Sequence, residues 1–164
     1  DLEVIVPRIE KMGLIVFEPF RECGQKLQKE FQAALRLKNL RDRGEKYQEL
    51  NMKIGDINNR LMEQSDCLLA ILDGGHSVDD GVASEIGYFA GLGKGPIFAL
   101  RSDFRAAENT SCINAQVHIY IMRSGGKLVS SPNHRFKNRK YPILETWFYE
   151  IQNWLNSLTK SFKE

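Results

Sequence analysis

The sequence predicts an α/β domain with a mainly parallel sheet flanked by helices. Three short apolar runs have the composition of buried strands, and they alternate with segments whose apolar residues recur at helical spacing. The runs are residues 14–17, 67–72 and 97–100. Strands that are apolar on both faces are typical of parallel sheets, because crossover helices cover both sides. The length of 164 residues suits one ordinary domain, so we expect residues 1–164 to form a single domain.

The first third of the sequence is predicted to be mainly helical. Residues 1–12 carry apolar side chains at helical spacing and predict the end of a helix. Pro19 and Gly24 predict a loop after the first strand. Residues 26–64 are polar with scattered apolar positions, and we interpret them as two amphipathic helices that separate near Gly44.

A βαβ unit is predicted in the middle of the sequence. The strand 67–72 opens into a polar, glycine-rich loop, and the apolar helix 82–92 leads to the strand 97–100. After a polar loop, residues 117–122 predict a further strand, and residues 143–158 predict a helix that covers the sheet. Ligands of such sheets bind beyond the carboxyl ends of the strands.

Composition excludes several classes of function. Twenty-three basic and twenty-one acidic side chains give a formal charge of only +2, so no overall field attracts nucleic acid or an anionic membrane. No apolar run approaches the roughly twenty residues that cross a bilayer. The three cysteines match neither a zinc site nor a redox pair, and the glycine-rich loop is not a dinucleotide fingerprint. We therefore expect a cytoplasmic protein without metal or redox cofactor that binds a small ligand.

Carboxylates gather where the second predicted strand meets the following helix. Asp73 follows the strand, Asp79 or Asp80 can cap the helix, and Glu85 lies about one turn inside it among apolar neighbours. Such an aspartate is most often only a cap, and such a glutamate is most often a solvated charge. A glutamate between buried neighbours nevertheless costs free energy unless it is paired or used. From spacing alone, the structural and the catalytic interpretations both stay open.

The same stretch carries a resemblance to a known family. The residues in question are 65–74, Asp79, Gly81, Ala83, 85–88 and 93–94. In this combination they resemble the nucleoside 2-deoxyribosyltransferase family, most clearly between residues 58 and 100. The resemblance implies a flavodoxin-like three-layer sandwich and the transfer of 2-deoxyribose between purine and pyrimidine bases through a covalent sugar ester.

The resemblance also implies roles for individual residues. Glu85 matches the nucleophile of the family, and Asp79 matches the acid that helps the base to leave or arrive. This pairing has a chemical reason, because one carboxylate attacks the anomeric carbon while a second carboxyl group supplies a proton to the leaving base. Asn58 matches a helix position that hydrogen-bonds the base, with Asp56 as the alternative.

Three further positions complete the expected substrate site. Asp73 and Gly81 lie at the mouth of the strand. Asn114 precedes the predicted strand 117–122 much as a family asparagine does, one that reaches into the neighbouring subunit and binds the sugar 5′-hydroxyl. A turn asparagine is an equally open interpretation of Asn114, and a polar helix surface is one for Asn58.

Partners follow from the resemblance alone. We expect a deoxynucleoside and a free nucleobase as substrates, and a homo-oligomer with shared active sites. The first strand of the family has no counterpart here, so we expect either that this strand precedes the given sequence or that the chain is a divergent member with an altered pocket. Two other functions remain open: an N-glycosidase that passes the sugar of a nucleoside or 5′-monophosphate to water, and a non-catalytic nucleotide-binding domain on the same fold.

Overall fold

The computed structural model describes residues 2–73, 78–101, 113–130 and 142–161. They group into two compact units, a helical unit of Leu2–Gln64 and a sheet unit that begins at Ser65. Three strands and six helices lie within the described residues.

The helical unit consists of α1 (Leu2–Glu10), α2 (Pro19–Leu35) and α3 (Leu40–Gln64). Helix α1 confirms the prediction for residues 1–12. Helix α2 begins at Pro19 because Glu18 caps it, its carboxylate accepting from the N–H groups of Phe20 at 3.1 Å and Arg21 at 2.6 Å. Proline suits the first helical position, where its missing N–H costs nothing. The predicted loop at Pro19 and Gly24 is therefore wrong.

Helices α2 and α3 pack against each other along apolar stripes. Their contact centres on buried Leu27, Ala34 and Leu50. The prediction of two helices is confirmed, but the predicted boundary near Gly44 is wrong, because Gly44 lies inside α3. Helix α3 starts earlier, where the side chain of Asn39 accepts from the N–H of Arg41 at 2.9 Å. Such a local cap determines where a helix begins more directly than one glycine does.

The apolar run 14–17 is not a strand. Its backbone has no regular structure, and Ile15 is 87% exposed. The carbonyl oxygen of Val16 accepts a hydrogen bond from the guanidinium of Arg21 rather than from a neighbouring strand. A strand must pair with a neighbouring strand through backbone hydrogen bonds. The described part of the helical unit contains no such strand, so the apolar run 14–17 could not form a strand by itself.

The sheet unit carries three parallel strands in the order β1-β2-β3, with α4, α5 and α6 around them. The strands are in register, with Ala70 opposite Ala99 and Ala99 opposite Leu128. Their bounds, and those of the helices, are β1 (Leu68–Ile71), α4 (Asp80–Leu92), β2 (Ile97–Arg101), α5 (Ala115–Arg123), β3 (Lys127–Ser130) and α6 (Pro142–Ser161). Strands β1 and β2 and helices α4 and α6 confirm the predicted elements.

Helices cover both faces of this sheet. On one face, α6 contacts β2 through Trp154 against Phe98, with ring centroids 4.8 Å apart, and β3 through Glu150 with Lys127. Side chains alternate along a strand, yet every residue of β2 is buried, so the opposite face is also covered. Helix α4 contacts β1 and α5 contacts β2 and β3. The fold is the expected α/β fold with an open parallel sheet, consistent with a flavodoxin-like sandwich.

The predicted strand 117–122 is wrong, because these residues belong to helix α5. Asn114 caps the helix, and its apolar positions Val117 and Ile121 are both buried and four residues apart. A short run rich in branched residues does not distinguish a helix from a strand by composition, so the cap and the four-residue spacing decide. The third strand of the unit, β3, instead follows the turn at Gly125.

Candidate active site

Asp73 lies at the carboxyl edge of the sheet. Just beyond β1, the N–H of Leu72 donates to the carbonyl of Leu100 at 2.8 Å, which extends the pairing of β1 with β2 by one residue. Asp73 follows and is half-buried. The residue therefore leaves the sheet at the edge where parallel sheets bind ligands.

Asp79 is the N-cap of α4. Its Oδ1 accepts from the N–H groups of Gly81 at 2.9 Å and Val82 at 3.2 Å. These N–H groups have no partner within the helix, and a carboxylate near them also interacts favourably with the helix dipole. Of the two candidate caps, the structure selects Asp79, and Asp80 is the first residue of the helix. The cap holds the Asp79 carboxylate at the start of α4.

Gly81 lies next to the Asp79 carboxylate, where a side chain would not fit. A Cβ atom at Gly81 would lie 2.9 Å from Asp79 Oδ1, closer than real Cβ contacts allow. Any larger residue would displace the very oxygen that caps the helix. Gly81 thus keeps space for Asp79.

Glu85 lies on α4 six residues after its cap, which is further inside than the single turn expected from the sequence. With a rise of about 1.5 Å per residue, the backbones of Asp79 and Glu85 are about 9 Å apart along the helix axis. The side chain is half-buried, and the next residues toward the core, Ile86 and Phe89, are fully buried. Glu85 is therefore held at the margin of an apolar core.

Asn114 is the N-cap of α5, as Asp79 is the N-cap of α4. Its Oδ1 accepts from the N–H of Gln116 at 2.8 Å, so it caps a helix and does not precede a strand as predicted. Helices α4 and α5 pack together where Gly87 faces the ring of Tyr120. Both helices follow a parallel strand, so both capped N-termini point toward the carboxyl edge of the sheet. Asp73, Asp79, Gly81, Glu85 and Asn114 all belong to this unit.

Asn58 belongs to the helical unit, on α3. It is half-buried, and its Oδ1 accepts a hydrogen bond from the Sγ of Cys23 at 3.6 Å. The alternative candidate, Asp56, is exposed. The role of Asn58 in binding a base stays a prediction.

One family matches this chain. The sequence model of the family described as nucleoside 2-deoxyribosyltransferase covers residues 2–142. The chain belongs to the nucleoside 2-deoxyribosyltransferase family. Neither the curated proteins nor the solved structures gave a match. Membership of this family indicates a nucleoside 2-deoxyribosyltransferase-like function, which is glycosyl transfer.

Two residues have settings in the structure that differ from the local sequence pattern. Arg101 ends β2 and is only 3% exposed, whereas the sequence predicted a polar loop directly after residue 100. Its signal was its position directly after a buried strand at the ligand-binding edge. Cys23 contacts Asn58, which lies 35 residues away in the chain. Sequence spacing contains no sign of that contact.

The described residues show few features of metal binding or of thiol chemistry. Across residues 2–73, 78–101, 113–130 and 142–161, no three His, Cys, Asp or Glu side chains come together as a metal site requires. Burial, and then the charge of Asp66, raise the pKa of the Cys67 thiol, which keeps it in the less reactive protonated form. None of the helices in these ranges is long and apolar enough to span a membrane.

Proposed function

We propose that this chain exchanges the base of a 2′-deoxynucleoside through a covalent ester between the sugar and Glu85. The observation that carries the proposal is the half-buried Glu85 on α4, a helix whose capped N-terminus lies at the carboxyl edge of a parallel sheet. Membership of a nucleoside 2-deoxyribosyltransferase family supports a carboxylate that attacks the sugar.

The reaction proceeds in two displacements. The Glu85 carboxylate attacks the anomeric carbon of the sugar, the bond from this carbon to the base breaks, and its electron pair goes to the base nitrogen. Asp79 supplies the proton that the leaving base takes up. A second base then attacks the same carbon through a ring nitrogen, the ester bond breaks, and Glu85 returns to a carboxylate while the proton goes back to Asp79.

The hydrogen bonds of Asp79 indicate which of its two oxygens supplies the proton. Because Oδ1 is held by the helix cap, the proton is carried by Oδ2.

Asp73 and Asn114 complete the site in this proposal. Asp73 lines the edge from which the substrate enters, and the role of Asn58 in binding the base stays a prediction. Asn114 uses Oδ1 for its helix cap, so it donates from its amide nitrogen to the sugar 5′-hydroxyl. That contact is made in the site of a neighbouring copy, so the proposed enzyme is a homo-oligomer with shared active sites. A cytoplasmic location stays a prediction.

The test is a base-exchange assay on the wild-type chain and two variants. The protein is incubated with deoxyinosine and free cytosine or adenine, and the products are separated by chromatography, with deoxynucleoside monophosphates run in parallel. We expect new deoxynucleoside from the wild type. Glu85→Gln should lower the rate at least about a thousandfold, because the amide keeps the shape but is a poor nucleophile. Asp80→Asn, the same change on the same helix, is the control and should keep most activity.

Each other outcome has a defined meaning. Full activity of Glu85→Gln with unchanged thermal unfolding would rule out this nucleophile. Release of base without a new nucleoside would replace the transferase by an N-glycosidase. Binding of nucleosides without any turnover would favour a non-catalytic nucleotide-binding domain.

A further inference from the structure

Helix α2 carries an apolar stripe that is largely exposed. Phe20 is 81% exposed and Leu35 is 54% exposed, and Gly24 and Gln28 between them are exposed as well. Phe31 lies on the same stripe and is half-buried against the α2–α3 core. These five positions follow one another at intervals of four, four, three and four residues, which places them on one face of the helix. Contiguous apolar faces of this kind are sites of contact with other proteins.

Gly24 leaves a gap in the middle of this stripe. A glycine inside a helix lowers the stability of the helix relative to alanine. The backbone of Gly24 does not adopt the left-handed conformation that favours glycine, and a Cβ atom there would meet no described atom within 4 Å. Nothing in the described part of the chain therefore requires glycine at this position. The gap forms part of a groove along α2 that Phe20, Gln28 and Phe31 also line.

The stripe has the symmetry that pairing with a copy of itself requires. Phe20 and Leu35 lie equally far from the midpoint between residues 27 and 28, and so do Gly24 and Phe31. When two such helices pair antiparallel about this midpoint, Phe20 lies opposite Leu35 of the second copy. Phe31 then lies opposite Gly24 of the second copy, so that a large ring faces the gap. In a two-fold symmetric dimer each of these contacts occurs twice, because both copies use the same surface.

The charges of α2 favour a partner with the same face over a charged partner. None of the five stripe positions carries a charge, and Arg21, which borders the groove, binds Glu10 of its own chain at 2.9 Å. Glu22 and Lys26 lie on the side of the helix opposite Gly24 and bind each other at 3.4 Å. Two copies of this face therefore meet without like charges, whereas an acidic or basic partner would find no opposite charge on it.

We propose that the apolar stripe of α2 pairs antiparallel with the same stripe of a second copy of this chain. The inference goes beyond the proposed function and does not depend on it, because none of the stripe positions is a candidate site residue. The stripe extends about 22 Å from Phe20 to Leu35. A standard interface of about 800 Å² per partner is roughly 28 Å across, so the stripe suits a modest interface and a dimer dissociation constant of about micromolar order.

The experiment measures the dissociation constant of the full chain by sedimentation over a range of concentrations. Phe20→Glu and Leu35→Lys each place a charge in the apolar contact, and each should weaken the dimer about a hundredfold, since the contact is lost twice per dimer. The double variant should return to within about tenfold of the wild type, because antiparallel pairing places the new carboxylate opposite the new ammonium of the second copy. Met52→Glu is the control, because it charges another exposed apolar side chain of the helical unit, and it should leave the constant unchanged.

A second pair of variants tests the gap at Gly24. Gly24→Leu fills the space that Phe31 of the second copy occupies, so the dimer should weaken about tenfold or more. Gly55→Leu is the matched control on α3, where a Cβ atom would also meet no described atom within 4 Å. Thermal unfolding of each variant checks that the fold is kept. If other surfaces join further copies, the variants at Phe20, Gly24 and Leu35 should halve the mass of the assembly.

Three results would overturn the proposal. The first is a wild-type chain that stays monomeric at all concentrations tested. The second is an assembly whose dissociation constant and mass are unchanged by Phe20→Glu, Leu35→Lys and Gly24→Leu, because another surface then joins the copies. The third is weakening by both single charge variants without recovery in the double variant, which would exclude the antiparallel arrangement. If a charge variant does not fold, Gly24→Leu against Gly55→Leu still decides whether the stripe is the interface.

Discussion

Glycines meet different surroundings in the sheet unit and in the helical unit. In the sheet unit, a Cβ atom at Gly95 would overlap the carbonyl oxygen of Asp66, and one at Gly126 would overlap that of Ile97. In the helical unit, a Cβ atom at Gly24 or Gly44 would meet no other described atom within 4 Å. Parallel strands bring distant backbone segments into contact, whereas a helix places each glycine against its own chain. Within one chain, glycine is thus a space requirement at Gly95 and Gly126 of the sheet unit, and it is not one at Gly24 or Gly44 of the helical unit.

An ion-pair network joins α2 and α3 in the helical unit. Four side chains form it, with Glu30 bound to Lys53 at 2.6 Å, and Glu49 bound to Lys46 at 2.7 Å and to Lys53 at 2.9 Å. These side chains remain partly exposed to solvent. The stability of the helical unit is therefore expected to depend on pH and salt. The sheet unit is expected to respond most to changes in shape at Gly95 and Gly126.

The largest change in the free energy of unfolding should come from replacing glycines. Gly126→Ala is expected to destabilise the protein by about 3 kcal/mol or more, because backbone atoms of Ile97 would have to move in a packed sheet. Gly44→Ala, inside α3, should instead stabilise by about 0.5 to 1 kcal/mol, since alanine favours the helix and meets no obstacle. Urea unfolding of both variants measures the difference. Equal effects would remove the distinction between the two units.

An intermediate effect is expected at the cap of α4. Gly81→Ala should displace the Asp79 carboxylate and lower kcat/KM for base exchange about tenfold, because misplacing a catalytic group is costly. The cost in stability should stay near 1 kcal/mol, the value of one cap. Gly91→Ala on the same helix is the control, since its Cβ would meet no described atom within 4 Å. Unchanged exchange by Gly81→Ala would show that the cap position of Asp79 has no catalytic use.

The smallest effect should come from the charge network. Hydrogen bonds from Lys46 and Lys53 lower the pKa of Glu49 from its usual 4.5 to about 2. A carboxyl group with a lowered folded-state pKa stabilises the fold above pH 4.5, and this contribution is lost as the pH falls toward 2. Glu49→Gln should therefore lower Tm by about 2 °C at pH 6 and less at pH 3.

A single exposed pair on the same helix provides the matched control. Arg41 and Glu45 form an i,i+4 pair at 3.0 Å outside the network, so Glu45→Gln should change Tm less than Glu49→Gln at pH 6. Salt at 0.5 M or so should reduce both effects, because these charges are in solvent. A difference between wild type and Glu49→Gln that is constant from pH 6 to pH 3 would contradict the role of the network.

Local signals in the sequence predicted four elements of the sheet unit, namely β1, β2, α4 and α6. Strands β1 and β2 were evident from their apolar runs, and Asp79 was one of two candidate caps for α4. The roles of Glu85, Asp79, Asp73, Gly81, Asn58 and Asn114 in the reaction stay predictions. What failed was the assignment of residues 14–17 and 117–122 as strands, because both runs have strand-like composition and only one nearby feature, the Asn114 cap, separates the second from a strand.

From the sequence, the start of α4 could be placed at one of two caps, Asp79 or Asp80, because a cap is made by hydrogen bonds to N–H groups two and three residues away. Strands β1 and β2 could be located from the composition of their apolar runs. The tertiary structure was needed to show that residues 14–17 do not form a strand, that Arg101 is buried at the sheet edge, and that Cys23 contacts Asn58. Each of these depends on residues that are distant in the chain, and spacing along one segment contains no information about them.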